Sequence, residues 1–237
     1  MIKKFFSIVF LFLFFFSSFT ASVDASIIKV TKNGKIIWGI LSYESDNQIK
    51  IKNIASVSDK NEANEIYLKN EGDKLMLEVN SEGSIKKADV TKFEGNILEI
   101  ETHKNPQNII IYEKDGRFVI NQQNYLATTS LSIILNPQDQ TLSIGTSRGT
   151  SKIIVLPQEA VSGLIRANIM TDANNSIFLD ENETGMLVYK IDGKKTIEIF
   201  NLLEINIPVF AEVSPTDGKL VNKIEPKWFS VLGFLFS

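Results

Sequence analysis

A mainly β fold is predicted for this chain of 237 residues by three observations. Short runs of Ile, Val, Leu, Tyr and Phe alternate with polar residues, and turn dipeptides recur about every 8–12 residues. Only one stretch of the mature chain switches to helical spacing. Together these imply an antiparallel β-meander, folded as a sandwich or barrel, followed by a small α+β unit with one helix packed on an antiparallel sheet.

The first hairpin joins residues 27–30 to 36–38 around Asn33-Gly34, a pair suited to a two-residue type I′ turn because both positions then need positive φ. Ile49-Lys50-Ile51-Lys52 alternates strictly, as a strand with one wet face does. Glu-Gly pairs at 71–72, 82–83 and 94–95, then Asp115-Gly116, punctuate the strands Leu75-Met76-Leu77-Glu78-Val79, Ile97-Leu98-Glu99-Ile100-Glu101 and Arg117-Phe118-Val119-Ile120. Residues 131–135 and 141–144 read as a hairpin, and 152–156 as a third strand after the Gly149 turn. Pro157 then opens a helix over 158–170, since a first helical residue needs no N–H, with Val161, Leu164, Ile165 and Ile169 at helical spacing. Strands are expected at 176–180, 186–191 and 196–200. A last hairpin joins 207–213 to 219–221 through Pro215-Thr216-Asp217-Gly218. A soft boundary near 149–157 divides a β-rich domain at 26–156 from an α+β unit at 157–225 and an apolar tail at 226–237.

The first 25 residues have the anatomy of a secretory signal: Lys3 and Lys4, an apolar run over 5–16 broken only by Ser7, and small residues ending in Val23-Asp24-Ala25. Cleavage after Ala25 is expected, which makes the protein exported and extracytoplasmic. The alternative is retention as an anchor, because the mostly apolar stretch 5–21 nears the lower limit of about 17–25 residues for a membrane helix. Without Lys3, Lys4 and Asp24, the 25 basic and 28 acidic side chains fall to 23 and 27, a net charge of −4. Nucleic acid, which calls for a clustered basic surface, is therefore not an expected partner. There is no cysteine, hence no disulfide, thiolate metal site, thiol nucleophile or lipoprotein anchor.

His103 is the only histidine, and Arg117, Arg148 and Arg166 are the only arginines, so general bases and bidentate oxyanion clamps are few. Glu99 and Glu101 share a strand face, and paired carboxylates can act on sugars when their environments separate their pKa values. A solvated strand face is the expectation instead, with His103 beyond their reach. Asp172, Asn174, Ser176, Phe178, Asp180 and Glu183 match a calcium-loop spacing, but Ile177 stands where that loop needs Gly. The expected structure is a polar loop leading into an edge strand. Gly145-Thr146-Ser147-Arg148-Gly149-Thr150-Ser151-Lys152 has three residues between its glycines where a phosphate loop has four, and reads as a turn between strands. No catalytic set, cofactor or metal is expected.

The segment from Pro157 to Ile224 contains a helix, the strand Val188-Tyr189-Lys190-Ile191 and the hairpin Ala211-Glu212-Val213-Ser214-Pro215-Thr216-Asp217-Gly218-Lys219-Leu220-Val221. It is similar to the PepSY-like pattern, in which a strand ends in an Asp-x-x-Thr-Gly-Lys type of turn; here Ser214 replaces the usual Asp and Asp217 the Thr. That resemblance implies a regulator of an envelope protease. As a whole the chain resembles exported β-rich bacterial proteins, which implies no activity.

The tail Trp228-Phe229-Ser230-Val231-Leu232-Gly233-Phe234-Leu235-Phe236 demands a burial site. As a helix its nine residues would span about 14 Å, half a hydrocarbon core. Trp228, Phe229, Leu232, Phe234 and Phe236 are accordingly expected to contact a membrane surface or a partner, or to dock on the protein's own sheet. The functional expectation is a non-enzymatic cell-envelope binding or assembly module whose partner is an envelope protein or a membrane surface. A carbohydrate-active enzyme built on the strand carboxylates is the remaining alternative.

Overall fold

The computed structural model describes residues 27–34, 36–38, 40–44, 48–52, 63–81, 84–101, 108–199 and 203–232. The expected signal and its cleavage site, His103, and residues 233–237 lie outside them. Nineteen strands are described: β1 Ile28–Val30, β2 Ile36–Trp38, β3 Ile40–Glu44, β4 Gln48–Lys52, β5 Ala63–Glu71, β6 Lys74–Ser81, β7 Ser84–Asp89, β8 Asn96–Ile100, β9 Ile109–Lys114, β10 Arg117–Gln122, β11 Tyr125–Thr129, β12 Ile133–Asn136, β13 Thr141–Thr146, β14 Gly149–Ile153, β15 Asp172–Ala173, β16 Ser176–Glu181, β17 Leu187–Ile199, β18 Leu203–Val213 and β19 Leu220–Ile224. Two helices accompany them, α1 Pro157–Arg166 and α2 Lys227–Leu232. The protein is mainly β.

Among the described residues the strands form an 11-stranded sheet, a six-stranded sheet and the separate hairpin β3–β4. The large sheet runs β19-β18-β17-β16-β11-β10-β9-β8-β1-β2, with β15 also against β17, and the smaller runs β14-β13-β12-β5-β6-β7. Strand side chains alternate between faces, and one buried cluster draws on both sheets. Ile28, Leu98, Ile111, Ile120 and Ile177 come from the large sheet, Ile66, Leu68, Leu77, Ile133 and Leu135 from the small one. The result is a sandwich. The expected meander is interrupted, because the chain changes sheet after β7, β11 and β14 and makes two parallel pairings, β1 with β8 and β11 with β16. The second of these joins the two sides of the expected 149–157 boundary in one sheet.

Gln140 ties the sheets together where they meet. Its backbone is left-handed (φ 54°), and its side-chain Nε2 donates to the carbonyls of Thr31 at 2.9 Å, Lys32 at 3.0 Å and Glu101 at 3.2 Å. Beside it, the first hairpin departs from the expected type I′ turn. Of the Asn33-Gly34 pair only Gly34 has positive φ, its N–H donates to Thr31 O at 2.9 Å, and a Cβ at Gly34 would lie 2.7 Å from the Pro137 carbonyl. The glycine is thus required by φ and by the close approach of the other sheet.

Three element boundaries differ from the sequence reading. α1 stops at Arg166 instead of 170, because Asn168 turns left-handed (φ 54°). The Asn168 and Ile169 N–H groups then return to the Ile165 and Leu164 carbonyls, each at 3.0 Å, the two bonds of a Schellman end. β14 starts at Gly149, not 152, since the turn at Ser147-Arg148 is only two residues long. The strands expected at 186–191 and 196–200 are one strand, β17, running through Asp192-Gly193. Gly193 serves close packing rather than a turn: a Cβ there would sit 2.4 Å from the Asp172 carbonyl oxygen and 2.8 Å from Met170 Sδ.

Candidate functional site

Beyond Lys194, the described parts of β17 and β18 pair only with each other, since β16 and β15 end against Lys190 and Lys194 and β19 against Phe210. The two strands therefore leave the sandwich as an arm. One face of the arm carries Ile197, Ile205 and Ile207, and α2 returns to cover it with Phe229, which is 8% exposed. Trp228 stays 47% exposed and meets the Phe229 ring edge-on, centroids 5.9 Å apart. Leu203, where described β18 begins, is 58% exposed. Of the five tail residues expected to contact a membrane or partner, Phe229 is turned into the protein's own cluster and Trp228 outward. The side chain of Leu232, and Phe234 and Phe236 entirely, lie outside the described residues. No helix among the described residues is long and apolar enough to cross a membrane.

A second cluster surrounds the turn between β18 and β19. Pro215 O accepts from Ile154 N–H at 2.9 Å and Val155 N–H at 2.8 Å, and Thr216 Oγ1 donates to Lys152 O at 3.2 Å. The turn thereby clasps the link from β14 to α1. Lys219, 2.7 Å from Asp217, holds that carboxyl down at about 2, with help from Ser214. Below the link, the fully buried Tyr189 donates its hydroxyl to Val155 O at 3.0 Å, and burial pushes its pKa far up. Gln122, 1% exposed at the end of β10, accepts at its Oε1 from the N–H of Gln158 at 3.3 Å, satisfying a first-turn donor of α1.

Two grooves flank this turn. One, of about 460 Å³, lies along α1 and is lined by Gln122, Gln158, Glu159, Ser162, Gly163 and Arg166 among others. The other, of about 290 Å³, is rich in hydroxyls and lined by Thr146, Arg148, Thr150, Ser151, Ser214 and Thr216 among others. At its rim Ser147 donates both N–H and Oγ–H to the Glu181 carboxylate at 2.5 Å, which keeps that carboxylate below its usual range.

The other sequence candidates are engaged structurally. Lys29 Nζ bridges Glu99 at 3.2 Å and Glu101 at 2.9 Å. Its hydrogen bond lowers the Glu101 pKa and raises its own. Glu78 is likewise held low, first by the Lys69 ammonium at 2.6 Å. The calcium spacing is stretched out: Asp172 pairs with Lys194, Asp180 with Lys190, and Ile177 is buried. No group of three potential metal ligands occurs among the described residues. β16, which carries Ser176, Phe178 and Asp180 of that spacing, is interior to the sheet, between β11 and β17, and not an edge as expected. Gly145-Lys152 is a β13–β14 hairpin turn, as read.

Gln122 and Gln158 carried no functional signal in the sequence and Tyr189 stood out only within a strand, because an isolated amide or phenol in a strand or helix does not reveal what packs on it. Arg166 was visible only as one of three arginines. No family model, curated protein or solved structure matches the chain.

Proposed function

We propose that the chain is an exported, non-enzymatic binding or assembly module of the cell envelope, seated at a membrane surface by its C-terminal end. The observation that carries this reading is the division of labour in α2. Phe229 anchors the helix to the arm while Trp228 stays outward. A short, Trp-bearing apolar segment of this kind suits the interface between headgroups and acyl chains, where an aromatic ring sits with one side wet. The engaged state of Glu78, Glu99, Glu101 and Glu181 supports a binding role over catalysis.

Cell fractionation with intact-mass analysis tests the reading. The full chain is compared with one ending at Ser230, which keeps Phe229 on the arm. The expected result is a processed full chain that pellets with membranes and a soluble truncated chain of unchanged melting temperature. If both are soluble, the membrane seat is wrong. Turnover of peptide or glycan substrates that is lost on Glu99→Ala would overturn the non-enzymatic part.

A further inference from the structure

We propose that the groove along α1 binds a free peptide about three residues long, its carboxylate on Arg166 and its ammonium group beside Glu159. The groove's volume of about 460 Å³ lies within the roughly 300–1,000 Å³ of ligand sites. Glu159, Ser162, Gly163 and Arg166 fall at i, i+3, i+4 and i+7 and so share one stripe of the helix. That stripe is charged at its ends and low in the middle, where a Cβ added to Gly163 would meet nothing within 4 Å. The guanidinium of Arg166 has no ion pair or hydrogen bond among the described residues.

The Cα atoms of Glu159, whose carboxylate also accepts from Leu156 N–H at 3.0 Å, and of Arg166 lie about 10.5 Å apart along the helix axis. An extended tripeptide covers about 10 Å at 3.3 Å per residue, so its two termini match the two ends. Gln158 adds a polar group at the Glu159 end. Its side chain lines the groove, and its buried Oε1 has no hydrogen-bond partner. Rotation about the soft terminal torsion of that side chain turns the acceptor toward a peptide N–H. A ligand of one charge sign is disfavoured, because it meets repulsion at either Glu159 or Arg166. The lining among the described residues also has no aromatic ring on which a sugar could stack.

Titration of the full chain with trialanine, read by calorimetry and by amide NMR shifts along α1, tests this directly. Saturable one-to-one binding is expected, weakened at least about tenfold by C-terminal amidation or N-acetylation of the peptide, the size of one lost charge-assisted contact. Arg166→Gln should weaken trialanine equally while leaving the amidated peptide unaffected, a coupling that a purely structural role would not produce. Gly163→Leu should abolish binding without lowering the melting temperature, because the side chain enters open space. No binding at about 10 mM peptide, well above a millimolar dissociation constant, overturns the proposal, as does equal affinity for trialanine and its amide. The groove does not involve α2, so either outcome leaves the membrane reading untouched.

Discussion

Asp217 closes its own turn, accepting from Lys219 N–H at 3.2 Å and pairing with the Lys219 ammonium, and its pKa drops from 3.8 to about 2. A carboxyl lowered on folding stabilises the native state above its unfolded pKa, and that contribution is lost as pH falls through the folded one. The turn should therefore keep its grip on Ile154 and Val155 down to about pH 4 and loosen toward pH 2. In an NMR titration the Asp217 carboxyl is expected to show its midpoint near 2, and Lys219→Ala to move it up toward 3.8. A midpoint indifferent to Lys219 would remove the pairing from the account. The turn itself was legible, because Pro215-Thr216-Asp217-Gly218 has turn chemistry. What it clasps was not, since Lys152 and Ile154 bond to it from a distant part of the chain.

The arm and α2 depend on one another. β17 and β18 beyond Lys194 have no neighbouring strand among the described residues, so the apolar face of Ile197, Ile205 and Ile207 depends on Phe229 for cover. Phe229→Ala is expected to cost of order 2–3 kcal/mol, below the roughly 3–5 kcal/mol of a phenylalanine in a full core, because the arm can partly close on itself. Hydrogen exchange should localise the loss to 195–207, and protection unchanged there would mean that α2 does not hold the arm. The sequence reading placed strand candidates at both ends of β17 but broke them at Asp192-Gly193, where glycine in a polar run usually marks a turn. It admits instead the close approach of Asp172 and Met170. The helix was legible from its period, while its end was set by the left-handed backbone of Asn168.

The parallel pairing of β11 with β16 makes one sheet of strands drawn from both sides of residue 156. Thermal unfolding of residues 26–237 is therefore expected in a single transition, with calorimetric and van't Hoff enthalpies agreeing. Two resolved transitions, or a stably folded 26–156 fragment, would show that 157–225 is a separate cooperative unit. Period-two alternation, turn dipeptides and one helical run determined the β-rich class, most strand positions and the helix α1, because each is a local property of a few neighbouring residues. The apolar tail, too, was evident from composition alone. Only the tertiary structure decided the strand order, the two parallel junctions, the grooves beside the β18–β19 turn and the inward seat of Phe229. Every strand edge offers the same row of N–H and C=O groups, so which edges meet is settled by packing between residues far apart in the chain, and that information is not written in any local pattern.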